Sequence, residues 1–404
     1  MPSDGQSNMD RRTFLARSAA VSAALAAGPT VLNALATRAQ SPSVNPAPYS
    51  GANTNTLYSQ YPAFVPSDTI GTVPDLPKKL IFSVPGPQIS EYYQDLSDAA
   101  QAGAEANGLE YQLLISKDPA DNIDQLLQAM QVGVGAIYLD PQDTAAQAPV
   151  VVDAINKGIC VIRHAASPGT LVGTATQYDI AYQQAKGAAE FITANMGGAA
   201  TVVNFTLDFK EILIPRHAGT VDGLKTAGDG VIIIDQELGA EPTTDQGATL
   251  AATLLQAHPE INVWIGPDDT ILGVNAYLES LGKTPASDPN IYLSALNGTA
   301  AGKDALKRGT FIKALWGFNS SLVGYSAGSF AGWWLAGKQI PQLMQTRPGQ
   351  MQSAADVDAF DALSANLPDA FDKALAGEQD TLRYLGDISF DTKDQFVQVD
   401  PVEG

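Results

Sequence analysis

Short apolar runs and longer amphipathic stretches alternate along most of the chain. Leu80–Val84 reads as a buried strand, Glu91–Asn107 as a helix ended by Gly108, Tyr111–Ile115 as a strand and Asp121–Val132 as a helix. Ala136–Leu139 is a strand, Val150–Lys157 a helix stopped by Gly158, and Cys160–Ile162 a strand. The rhythm restarts with Ile180–Met196 as a helix, Thr201–Phe205 as a strand, Ala218–Ala227 as a helix and Val231–Leu238 as a strand. Gln246–Ala257 and Ile271–Leu281 are further helices, and Val263–Ile265, Ile291–Ala295 and Phe311–Trp316 further strands. Short apolar strands alternating with longer helices define βαβ units around a parallel sheet. Two successive sets predict the α/β class, with two similar doubly wound parallel-sheet lobes. Val172–Thr176 is the expected crossing between them.

The flanks break this rhythm. Residues 41–78 are rich in Pro, Ser, Asn and Thr and read as an extended or poorly ordered leader. Residues 79–172 with 317–337 are expected to form the first lobe and 173–316 the second, with 338–404 an acidic segment completing the lobes. Within that segment Ala355–Leu375 is predicted as one helix. Its Asp356, Asp358 and Asp361 read as a solvated face near a helix N-terminus and not as a metal site.

Residues 1–40 read as an address. Asp10 to Leu15 (DRRTFL) matches the twin-arginine export signature, and the apolar run Ser18 to Leu35, broken by Gly28-Pro29, is too short for a membrane span. Cleavage is expected after Ala36 or Ala39. A lipid anchor needs a Cys after the apolar run, and the only one is Cys160, inside a predicted strand. That single Cys also excludes an intramolecular disulfide and any multi-cysteine metal site. A periplasmic or extracytoplasmic protein that is not a lipoprotein is expected.

The 404 residues carry 23 basic and 43 acidic side chains, a formal charge of −20. That balance argues against nucleic acid or anionic lipid as partners. Chemistry-bearing motifs are few. Gly324-Tyr325-Ser326-Ala327-Gly328 fits a nucleophile elbow, but His164, His217 and His258 all precede Ser326, the wrong order for an α/β-hydrolase. Gly324, Gly328 and Gly332 recur every four residues, which marks a helix face that lets another element pack close. There is no phosphate-binding loop, no dinucleotide fingerprint and no zinc spacing, so no cofactor and no metal are expected.

Gly133 to Asp140 (GVGAIYLD), followed by Asp143 and by Ala154 to Ile162 (AINKGICVI), resembles the core of the ribose-type periplasmic solute-binding proteins of sugar ABC transporters. Gln256 to Ile261, Trp264 to Asp269 with Gly273, and Asn297 to Thr299 resemble the second lobe of that family. The resemblance spans about Lys79 to Gly337. It implies a non-enzymatic type I binding protein with a three-segment hinge, capturing a small polyhydroxylated ligand for an ABC permease as a monomer. The family's Asp-Arg pair falls on Ala165-Ala166, just after Arg163 and His164. Its cleft arginine falls on Thr220, for which Arg216 is the nearest substitute, and the Asp of its Asp-Gly turn is Asn297.

Ligands of open α/β sheets sit at the carboxyl ends of strands. Sugars and polyols need planar hydrogen-bonding groups with an aromatic wall. The expected contacts are Gln88, Tyr92, Tyr93, Arg163, His164, Phe205, Arg216, Asp268, Asn297 and Trp316. Two other readings are the ligand-binding part of a membrane sensory or chemotaxis system and, from another class, an exported serine hydrolase using Ser326.

Overall fold

In the computed structural model, residues 57–86, 90–175, 177–210, 213–239 and 242–401 are described. Residues 1–56 lie outside them, and with them the export signal and the first part of the leader. The first lobe opens with β1 (Lys79–Pro85), α1 (Glu91–Ala106), β2 (Glu110–Ser116) and α2 (Pro119–Val132). It continues through β3 (Ala136–Leu139), α3 (Thr144–Asn156), β4 (Cys160–His164) and β5 (Leu171–Ala175). Side chains at the helix starts satisfy free amides, as at Asp118, Asp143 and Ser90, which accept from Asp121, Ala146 and Tyr93.

The second lobe holds α4 (Gln177–Met196), β6 (Ala200–Thr206), α5 (Ile214–Lys225), β7 (Val231–Glu237), α6 (Thr244–Ala257), β8 (Ile261–Pro267), α7 (Asp268–Ser280), β9 (Tyr292–Asn297), α8 (Ala300–Lys307) and β10 (Ile312–Gly317). α9 (Ser320–Leu335) and β11 (Leu343–Thr346) return to the first lobe, and β12 (Gly349–Met351) and α10 (Ala354–Ala362) to the second. α11 (Leu367–Leu375) and β13 (Leu382–Leu385) end on the first.

One sheet has the order β13-β11-β5-β4-β3-β1-β2 and the other β12-β10-β9-β8-β6-β7. All pairings are parallel except β11–β13 and β10–β12 at the edges. This is the predicted pair of doubly wound lobes. Both faces of the first sheet are covered: Phe82, Tyr138 and Ile162 pack with α1 and α9, and Ile81, Ile137 and Val161 with α2 and α3. β1 is accordingly apolar on successive positions rather than alternating.

Three passages link the lobes, at β5–α4, β10–α9 and β11–β12, as a three-segment hinge requires. The C-terminal segment adds a fourth: Val357 and Phe360 of α10 are buried in the second-lobe core, whereas Ala370 and Phe371 of α11 are buried in the first. The stretch expected to be one helix is therefore two, with Pro368 in the first turn of α11 marking the restart. Asp358 and Asp361 pair with Lys307 and Lys303, and Asp356 binds the Ser353 cap. The three acids thus line a solvated face, as expected.

Two other expectations change. Of Val172–Thr176, read as a crossing, Val172–Ala175 belong to β5, which pairs with both β4 and β11, and Thr176 lies outside the described residues. The second part of the leader is tied down, because Phe64 is buried against Phe330 and Gly71 N–H reaches Gly337 O at 2.8 Å. The glycine stripe of α9 behaves as expected: a Cβ at Gly324 or Gly328 would strike the carbonyl oxygens of Leu96 or Ala100 on α1.

Candidate functional site

The carboxyl ends of both sheets face a cavity of about 520 Å³, lined from both lobes. From the first lobe, the Ser90 cap starts α1 past the carboxyl end of β1, so Glu91, Tyr92 and Tyr93 occupy its first turn on the cavity wall. Tyr93 Oη donates to Asp140 Oδ1 at 2.6 Å, fixing the ring beside the end of β3. His164, the last residue of β4, hydrogen-bonds Tyr138 Oη through Nδ1 at 2.8 Å. Tyr138 in turn stacks on Phe82, with centroids 4.1 Å apart. Tyr92 lies edge-on to His164 (5.9 Å), Tyr93 (5.4 Å) and Phe318 (6.3 Å). A continuous set of rings therefore runs from the first-lobe core to the cleft.

The second lobe brings Lys210, Arg216, Asp269 and Asn297. Arg216, in the first turn of α5, donates through Nε and Nη2 to Gln177 Oε1 at 3.0 and 2.7 Å. Burial pushes its pKa down to about 10. His164 is pushed down to about 4, chiefly by burial and then by the positive charges of Lys210 and Arg216. It is a neutral ring at physiological pH. Glu91 Oε1 accepts from the amide of Ala300, the first residue of α8, at 2.5 Å. That bond runs directly between the lobes.

Among the described residues two non-glycines have positive φ, Ala165 at 51° and Asn297 at 141°, and both line the cavity. Such backbone strain gathers where the surrounding structure holds a site in shape. It marks the ends of β4 and β9 here.

Of the ten expected contacts, Tyr92, Tyr93, His164, Arg216 and Asn297 line the cavity. Gln88 lies outside the described residues. The other four stand behind the wall. Arg163 is fully buried on the opposite face of β4 from His164, because successive strand residues point to opposite sides. Its Nη2 donates to Gln147 Oε1 at 3.0 Å, and Gln147 donates to Asn122, joining a network under the sheet. Phe205 stacks on Trp264 in the second-lobe core, with centroids 5.9 Å apart, and borders a cavity of about 20 Å³. Asp268 is fully buried and accepts the Thr299 amide at 2.7 Å, joining the start of α7 to the turn before α8. Desolvation pushes its carboxyl up to about 7, against the pull of the Thr299 bonds. Its neighbour Asp269 takes the cleft position instead. Trp316 packs with Ile180, Leu296 and Phe318.

Glu91, Asp140, Gln177, Lys210, Asp269 and Phe318 line the cavity without having been expected there. Asp140 directly follows a strand, and Lys210 lies four residues beyond the end of β6, so a strict reading of strand ends would have reached both. Ser326 is buried in α9, its Oγ bonded to Leu322 O at 2.6 Å and to Tyr384 Oη at 2.5 Å. Tyr384 is pushed above its ordinary range by burial and is no base for a serine nucleophile. Cys160 is buried in β4, its thiol pushed up by desolvation. No group of three or more His, Cys, Asp or Glu among the described residues is placed to hold a metal ion.

Residues 80–339 match the model of a family described as periplasmic binding protein domain. The chain belongs to that family. Several solved structures share the fold of this periplasmic binding protein domain. A Mycobacterium smegmatis protein in complex with β-D-fucofuranose is 20% identical, with TM-score 0.63, over 76% of this chain and 99% of that one. A periplasmic ribose ABC transporter protein from Conexibacter woesei is 19% identical, with TM-score 0.58, over 74% and 99%. A twin-arginine translocation pathway signal protein from Burkholderia phytofirmans is 20% identical, with TM-score 0.62, over 77% and 98%. Comparison with curated protein sequences returns no match. The fold of this periplasmic binding protein is type I, two α/β lobes around one cleft. No helix of the described residues is long and apolar enough to cross a membrane.

Proposed function

We propose that this protein captures a small polyhydroxylated solute (a sugar, polyol or derivative) between its lobes and delivers it, as a monomer, to an ABC permease. The observation that carries the reading is the cavity of about 520 Å³ at the carboxyl ends of both sheets, lined from both lobes. Tyr92, Tyr93 and Phe318 offer apolar faces for the C–H side of a sugar ring, while Asn297, Asp140 and Arg216 supply acceptors and donors for hydroxyls. The volume falls in the range of small-ligand sites. Closing the lobes on a ligand buries it from both sides, so the ligand favours the closed state through contacts the open state lacks.

The twin-arginine signature at Asp10–Leu15 supports export to an extracytoplasmic space, where such a binder meets its solute. The Mycobacterium smegmatis protein that shares this fold is in complex with β-D-fucofuranose, which supports the sugar class. Thermal-shift measurement and calorimetry against sugars, polyols and their derivatives test the reading. At least one compound is expected to raise the melting temperature and to bind with one-to-one stoichiometry. A panel without a single binder would contradict it.

A further inference from the structure

The charges on the cleft wall are unevenly matched. Glu91 has the Ala300 amide, Asp140 has the Tyr93 hydroxyl, and Asp269 lies in the first turn of α7, where a carboxylate is favoured by the helix dipole. Arg216 differs. Its hydrogen bonds go to Gln177 Oε1, a neutral amide oxygen, and it forms no ion pair among the described residues. A guanidinium has five donors in a planar fork. Gln177 occupies the Nε–Nη2 edge, so the Nη1–Nη2 edge is left for another acceptor. Withdrawing a guanidinium partly from water costs more than one neutral amide returns, and a carboxylate on the remaining edge restores the balance.

We propose that the ligand is a sugar acid, an aldonate or uronate, whose carboxylate binds the free edge of Arg216 on the second-lobe wall. Lys210 lines the same cavity, and both cations act on His164 from across it, which places them in one electrostatic neighbourhood. His164 stays neutral there and adds no competing charge. The planar Arg fork takes a carboxylate with two parallel hydrogen bonds and can do the same for a phosphate, so the probes below include a phosphate ester. Most of the net charge of −20 is screened beyond about 8 Å at physiological salt, and the three carboxylates on the cleft wall already have the partners or the helix terminus named above. Contacts inside the cleft decide affinity.

The inference rests on the reading of the cleft as a polyol site, and calorimetry on the purified protein separates the two. Matched probes are galactose with galacturonate, glucitol with gluconate, and glucose with glucose 6-phosphate. At least one acid is expected to bind about tenfold or more tighter than its neutral partner, as a desolvated charge-assisted pair allows. Arg216→Gln is expected to abolish that preference while the neutral partner's affinity changes less. Gln177→Leu, which keeps the charge but removes its anchor, is expected to reduce the preference partly. Melting temperatures of the unliganded variants identify any that do not fold, and the wild-type comparison of acid with neutral partner stands without them. A neutral sugar bound as tightly as its acid overturns the inference and leaves the polyol reading intact. Preference for the phosphate ester overturns the carboxylate. No binding by any neutral or acidic probe overturns both.

Discussion

The two lobes share one construction but bring different chemistry to the cleft. The first presents rings, with Tyr92 and Tyr93 on the first turn of α1 and His164 at the end of β4. The second presents Lys210, Arg216 and Asn297, from the loop after β6, the start of α5 and the end of β9. On this reading the first lobe recognises the apolar face of a ligand and, through Asp140, a hydroxyl, and the second its charge and remaining hydroxyls. Neither wall is a site alone, and the Glu91–Ala300 bond joins the lobes directly across the cleft.

The largest effects should come where both lobes depend on the same packing device. A Cβ at Gly328 would strike Ala100 O on α1, and a Cβ at Gly223 would reach Tyr182 O on α4 at 2.5 Å. Gly328→Leu and Gly223→Leu should each lower stability by about 3 kcal/mol or prevent folding, since rigid backbone cannot yield to overpacking. Urea unfolding measures both, and a neutral result for either would show that the lobe's helix pair can separate cheaply.

Next come the two walls. Tyr92→Ala should weaken binding of neutral and acidic ligands alike, by about tenfold, because a buried aromatic anchor is worth more than 1 kcal/mol. A change confined to acidic ligands would break the division of labour between the lobes.

The histidines extend the comparison to pH. In the second lobe His217 bonds Asp208 at 2.8 Å and Asp235 at 3.1 Å, and these partners raise it to about 9, with the Asp235 bond the largest cause. A raised folded-state pKa stabilises fully below the unfolded value of about 6.5 and is lost as pH rises through about 9. In the first lobe His164 is depressed to about 4, so its neutral form favours folding above about 6.5 and that advantage is lost as pH falls towards 4. His217→Asn should flatten the alkaline limb of stability against pH, and His164→Asn the acid limb. Urea midpoints from pH 4 to 9.5 (about the span of the two transitions) read both, and a swap of the two limbs would contradict the assignments.

Glu91→Gln should have the smallest effect. It keeps an acceptor for the Ala300 amide but removes its charge, which should weaken ligand binding by about two- to fivefold, near 0.5–1 kcal/mol. Small-angle scattering of the unliganded variant should show a larger radius of gyration if this bond biases closure.

The βα rhythm of both lobes was legible because parallel strands buried on two faces are apolar throughout and the helices between them are amphipathic. The edges were not. β11 and β12 span four and three residues and are held by partners far along the chain, so no local period announces them. Five of the nine expected site residues among those described reach the cavity, because a strand end predicts a place but not a direction. Arg163 and His164 are adjacent, yet only His164 faces the cleft. Asp268 and Asp269 are adjacent, and the buried one anchors the turn at Thr299.

The central claim is that both walls act together on one polar solute. Thermal-shift titration of the wild type, Tyr92→Ala and Arg216→Ala with the same panel of sugars, polyols and sugar acids tests it most directly. The account predicts that at least one compound raises the melting temperature of the wild type and that either substitution diminishes the shift. An equal shift in all three proteins, or no shift with any compound, would contradict it.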